Sequence, residues 1–104
     1  MRRLLLVEDD PLIANIYQRK FTQDGYMVIH AKDGQAALDE LSEETPDLVI
    51  LDIMLPVVSG LDVLQEIRSD PARKELPVIV FSNAYQSKLI DKAWATGATS
   101  VLMK

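Results

Sequence analysis

Apolar residues fall into two alternating patterns along the chain. Leu4 to Val7 is a short unbroken run, the signature of a strand buried on both faces. Asp10-Pro11 then signals a helix start, with aspartate as N-cap and proline at the first helical position. Leu12, Ile13, Ile16, Tyr17 and Phe21 follow at helical spacing, and Gly25 is placed to close that helix. Tyr26 to Ala31 predicts a second strand. Asp33-Gly34 opens a second helix with Ala36, Ala37, Leu38 and Leu41 as its stripe, and Pro46 ends the connection. Leu48 to Leu51 is the third strand, and Leu61, Val63, Leu64 and Ile67 mark the third helix. Ser69 to Glu75 reads as a polar loop. Pro77 leads into a fourth strand, Val78 to Phe81. Leu89, Ile90, Ala93 and Trp94 mark a fourth helix closed by Gly97, and Val101 to Met103 make a fifth strand. Trp94 and Phe81 are expected as packing residues.

Strands and helices alternating in this way imply a parallel sheet covered on both faces. In such open sheets, sites form beyond the carboxyl ends of the strands. Glu8, Asp9 and Asp10 follow the first strand, and Asp52 follows the third. Ser82 and Asn83 end the fourth, and Lys104 ends the fifth. A lone carboxylate behind a buried strand is costly to desolvate, so Asp52 needs a partner or a task. The sheet edge offers both.

Composition narrows the chemistry. The chain has 104 residues, 48% hydrophobic and 26% charged, which suits one globular domain. It has no cysteine, so disulfides and thiolate metal sites are excluded. Its apolar runs are too short for a membrane span, no signal-peptide pattern opens the chain, and the cytoplasm is the expected compartment. A net charge of −5 argues against direct nucleic-acid binding and for a cation or a basic partner.

Grouped carboxylates repel one another, and a divalent cation relieves that repulsion. Oxygen ligands without cysteine or a second histidine favour Mg²⁺, which takes one or two carboxylates and keeps room for a phosphate. Glu8 or Asp9 together with Asp52 meets that description. Asp10 is assigned instead to the helix cap. Lys104 is a point charge suited to a phosphoryl oxygen, and Ser82 offers one hydroxyl donor. Together they form a receptor for a phosphoryl group, with Asp52 as the carboxylate that attacks phosphorus. His30, the one histidine, is expected as a surface or strand residue.

The segments LLLVEDDP, LVILDIMLPVVSG, PVIVFSN and GATSVLMK resemble, in order and spacing, the receiver domain of two-component response regulators. The resemblance spans the whole chain. It implies a flavodoxin-like, doubly wound, five-stranded parallel sheet in the order 2-1-3-4-5. It implies that Glu8 and Asp9 are the acidic pair, with Asp9 a direct Mg²⁺ ligand, and that Asp52 is the phosphoacceptor. Met54 would offer its backbone carbonyl to the metal, and Ser82 and Lys104 would bind the phosphoryl group. Pro56 and Gly60 match the loop after the phosphoacceptor. A histidine kinase or phosphotransfer protein would supply the phosphoryl group. The domain would catalyse only its own phosphorylation and dephosphorylation, and is not expected to be an enzyme otherwise.

Three departures stand out. Asn83 follows the hydroxyl where alanine or glycine is usual. Met54 and Ala84 cannot position water through a strong side-chain hydrogen bond, so slow self-dephosphorylation is expected. Val101 holds the position of the family's switch aromatic, leaving Tyr85 as the nearby candidate to replace it. The sequence is expected to be a receiver, residues 1–104, truncated after the fifth strand and lacking the family's final fifth helix. Apolar residues of the first, third and fifth strands would then be partly bare, and a homodimer through that face is expected. The alternative reading is a phosphate-independent receiver-like interaction module. A carboxylate-nucleophile phosphatase would want a second acid where Met54 stands. A flavin carrier would want a hydroxyl- and glycine-rich loop where the three acids stand.

Overall fold

A computed structural model describes residues 2–55, 58–82 and 87–103, with Ser82 and Met103 described in backbone only. The elements follow the expected alternation: β1 (Arg3–Val7), α1 (Pro11–Gln23), β2 (Met27–Ala31), α2 (Gly34–Glu43), β3 (Leu48–Asp52), α3 (Gly60–Ser69), β4 (Val78–Ser82), α4 (Ser87–Thr96) and β5 (Ser100–Met103). All strand pairs are parallel, in the order β2-β1-β3-β4-β5. Among the described residues, no helix is long and apolar enough to cross a membrane.

The helix signals act as the sequence suggests. Asp10 accepts a hydrogen bond from the Leu12 amide at 2.9 Å, capping α1 with Pro11 in its first turn. Asp33 accepts from the Ala36 amide at 2.7 Å and caps α2. Gly25 follows α1 at φ 97°, a conformation that an L side chain adopts only with strain.

The sheet has two unequal faces. On one, Leu5, Val7, Val49, Leu51, Val78 and Val80 pack against Ala37 and Leu41 of α2, Val63, Leu64 and Ile67 of α3, and Ala93 of α4. On the other, Leu4, Leu6, Ile50 and Phe81 meet Ala14, Tyr17 and Phe21 of α1. The Tyr17 and Phe81 rings lie 4.9 Å apart, and Phe21 meets Tyr26 edge-on. Beside α1 this face carries an apolar hollow of about 480 Å³, bordered by Leu48, Ile79 and Leu102. β1 is fully covered there, contrary to the expectation that its apolar residues stay bare. Leu102 of β5 is exposed, and Leu48 of β3 and Ile79 of β4 are partly buried.

Three further expectations are corrected. Ser69 to Glu75 is not plain loop: Pro71–Arg73 forms a 3-10 helix, capped by Asp70 through the Ala72 amide at 2.9 Å. It starts with the same Asp-Pro signal as α1. Trp94 is 51% exposed, because its neighbour Ala93 is the α4 residue turned to the core. Leu12 and Ile16 are 69% and 57% exposed, while Ala14, Tyr17 and Phe21 form the sheet-facing row of α1 at i, i+3 and i+7.

Candidate functional site

Parallel pairing brings the strand ends to one edge. Val7 pairs with Leu51, so Glu8 and Asp52 are the next residues along neighbouring strands, and Asp52 pairs with Phe81 of β4. Asp9 follows directly. Ligand oxygens of Glu8, Asp9 and Asp52 all lie within 4.8 Å of one another. Glu8 is 1% exposed and Asp52 4%, while Asp9 faces solvent. Two unit charges at 4.8 Å repel by about 3 kcal/mol at an effective dielectric of roughly 20. The donor set is oxygen throughout, two of its members are buried, and a hard divalent cation fits it. Asp10 stays outside the cluster, held by its cap, as the sequence suggests.

The surrounding backbone fixes these carboxylates. Asp52 Oδ1 accepts from the Met54 amide at 3.1 Å, turning the chain sharply after β3. The Ile53 amide donates to the Phe81 carbonyl at 3.1 Å, tying that turn to β4. The Ile53 carbonyl accepts from the Gly60 amide at 3.1 Å, tying it to the start of α3. Gly60 lies so close that an added Cβ would stand 2.1 Å from the Asp52 carbonyl oxygen. Ser59 caps α3 through the Asp62 amide at 3.2 Å. The Glu8 amide donates to the Ala31 carbonyl at 3.1 Å, and the Glu8 carbonyl accepts from His30 Nε2 at 2.8 Å.

An apolar hollow of about 480 Å³ borders Asp9, between Ile53, Met54 and Leu55 on one side and Leu61 and Leu89 on the other. A smaller one, about 120 Å³, surrounds Arg3, Glu40 and Glu44 near the amino ends of the strands, away from the carboxylates. The chemistry places the site at the first.

The structure therefore brings together Glu8, Asp9 and Asp52, with Met54 on the adjoining turn. Ser82 ends β4, paired with Met103, the residue before Lys104. The Ser82 side chain, Asn83, Ala84, Tyr85, Pro56 and Lys104 lie outside the described residues. Val101 is partly buried on β5 and packs toward the larger core. Sequence reasoning missed the contact between His30 and Glu8; only the strand register reveals it, since the two residues are far apart in the chain.

Comparisons with known proteins agree with this geometry. The response regulator receiver domain family matches residues 4–104. A probable transcriptional regulator of Guillardia theta is 40% identical over 80 residues, covering 77% of this chain and 30% of that protein. Response regulator MprA of Mycolicibacterium vanbaalenii is 38% identical over 80 residues, 77% of this chain and 34% of its own length. The chain thus spans about a third of the length of these relatives. Among solved structures, the chemotaxis response regulator CheY4 of Vibrio cholerae superposes with a TM-score of 0.93 at 27% identity, over 100% of this chain and 87% of that one. The receiver domain of a sensor histidine kinase from Pseudomonas aeruginosa, solved with a magnesium ion coordinated in its active-site cleft, gives a TM-score of 0.90 at 25% identity. That match covers 99% of this chain and 84% of the other. With a family match over nearly its full length, the expected strand order and an acidic cluster at the expected edge, the chain belongs to the response regulator receiver domain family.

Proposed function

We propose that this receiver is a phosphoacceptor switch in which Asp52 takes up a phosphoryl group. The observation that carries the reading is the convergence of Glu8, Asp9 and Asp52 at the carboxyl ends of β1 and β3, with Asp52 held by the Met54 amide. Glu8, Asp9 and Asp52, with the Met54 carbonyl, would hold Mg²⁺. When bound, Mg²⁺ supplies positive charge against the phosphoryl oxygens. An Asp52 oxygen forms the new bond to phosphorus as the phosphorus–nitrogen bond of a histidine donor breaks. The leaving imidazole keeps the electron pair and takes up a proton. Ser82 and Lys104 are assigned to the phosphoryl oxygens, one by a hydroxyl hydrogen bond and one by charge.

A histidine kinase or phosphotransfer protein is the partner this chemistry requires, and the cytoplasm is its compartment. The domain catalyses its own phosphorylation and dephosphorylation and no other reaction. The phosphoryl group adds nearly two negative charges to a site that is already acidic, which biases the domain between two conformations.

The test is incubation with acetyl phosphate and Mg²⁺, followed by intact mass. Wild type is expected to gain one phosphoryl group, and Asp52→Asn none. An unchanged wild-type mass would favour the phosphate-independent interaction module. Equal labelling of the variant would move the acceptor elsewhere.

A further inference from the structure

We propose that His30 is a positioning residue for the acidic pair, fixing the peptide between Glu8 and Asp9 through the Glu8 carbonyl. The inference rests on the metal site proposed above. β1 and β2 pair in register as far as Val7 and Ala31, and the Glu8 amide makes a final backbone bond to the Ala31 carbonyl at 3.1 Å. Past that point the chain leaves the sheet. Asp9 faces solvent, and Asp10 is already engaged as the cap of α1. Glu8-Asp9 is therefore a two-residue link between a strand end and a helix cap.

The His30 ring takes hold of this link at 2.8 Å. A carbonyl oxygen only accepts, so Nε2 carries the hydrogen. The bond pins the plane of the Glu8–Asp9 peptide, and with it the direction in which Asp9 leaves the strand. Mg²⁺ demands near-octahedral geometry at short distances, so the direction of one carboxylate matters to its affinity. Outer partners that orient ligands commonly set metal affinity without touching the metal. His30 lies on β2, an edge strand of the sheet that pairs, among the described residues, with β1 alone. Its bond to Glu8 fastens that edge to the site.

Calorimetric Mg²⁺ titration of three forms of the chain tests this, with thermal melts in chelator as a control on folding. His30→Phe keeps an aromatic strand residue but removes the donor. His30→Gln restores an N–H on a side chain long enough to approach the same carbonyl. Mg²⁺ affinity is expected to fall roughly 3- to 10-fold in His30→Phe, the range one lost hydrogen bond supports. His30→Gln is expected within about twofold of wild type, recovering the same bond. Wild-type affinity in His30→Phe overturns the inference, and so does equal weakening in both variants. A wild type that binds no Mg²⁺ overturns the metal reading itself and this inference with it, which tells the two failures apart.

Discussion

Gly60→Ala tests how tightly the acceptor loop is built. The added Cβ would stand 2.1 Å from the Asp52 carbonyl oxygen and 2.7 Å from the Ile53 Cα. Both are backbone atoms, so no side-chain rotation relieves the overlap. α3 and the end of β3 must part by about 1 Å, and an overpacked core of this kind typically costs about 1–3 kcal/mol. For a domain of this size each kcal/mol moves the melting temperature by about 4–8 °C, so a fall of roughly 5–20 °C is expected. Asp52 shifts with its carbonyl, and a misplacement near 1 Å can slow a positioned reaction on the order of 100-fold. Circular dichroism melts give the stability, and phosphoryl uptake from acetyl phosphate, followed by intact mass below the transition, gives the rate. Gly25→Ala is the control: an added Cβ there meets nothing within 4 Å, so only its φ of 97° is strained. That variant is expected to lose some stability while keeping the uptake rate. Wild-type stability and uptake in Gly60→Ala would refute the close approach of α3 to the acceptor strand.

Arg68 donates to the carbonyls of Gly97 at 2.8 Å, Leu76 at 2.7 Å and Arg73 at 3.1 Å, and to Thr99 Oγ1 at 3.3 Å. All four acceptors are neutral, and desolvation pulls the guanidinium pKa below its ordinary value. Arg68→Met should lower the urea midpoint at unchanged slope, by the equivalent of about 2–4 kcal/mol, and a loss under about 1 kcal/mol would remove the clamp from the account. The hollow bordered by Leu48, Ile79 and Leu102 is expected to drive self-association of this chain, seen as a sedimentation coefficient that rises with concentration, whereas a monomer at every concentration would show the surface to be inert.

Much of the fold is written in the placement of runs and punctuation. The apolar runs read as strands became strands because consecutive apolar residues would ring a helix instead of forming one stripe along it. Asp10-Pro11 and Asp33-Gly34 marked helix starts because a carboxylate before the first turn has free amides to cap. The same signal at Asp70-Pro71 went unread, since the segment after it carries no apolar stripe to suggest a helix. Trp94, Leu12 and Ile16 misled for a related reason. Helical periodicity alone does not say which edge of an apolar stripe the sheet covers, and a shift of one residue turns a side chain by about 100°.

The site was legible to a different depth. Glu8, Asp9 and Asp52 could be named because parallel strands of matched length deliver their last residues to one edge, whatever packs on their faces. That inference needs only strand order and direction. The contacts that hold the carboxylates need the register itself. His30 reaches Glu8 because Val7 pairs with Ala31, and Gly60 touches Asp52 because the turn after β3 is bonded to both β4 and α3. Slip β2 by one residue and His30 would present its ring to the opposite face of the sheet. Glu8 and Asp9 would still end β1 beside Asp52, with that support gone. A sequence can therefore announce its reacting groups while concealing what aims them, because the groups are fixed by topology and their aim by an alignment of strands that only the folded chain displays.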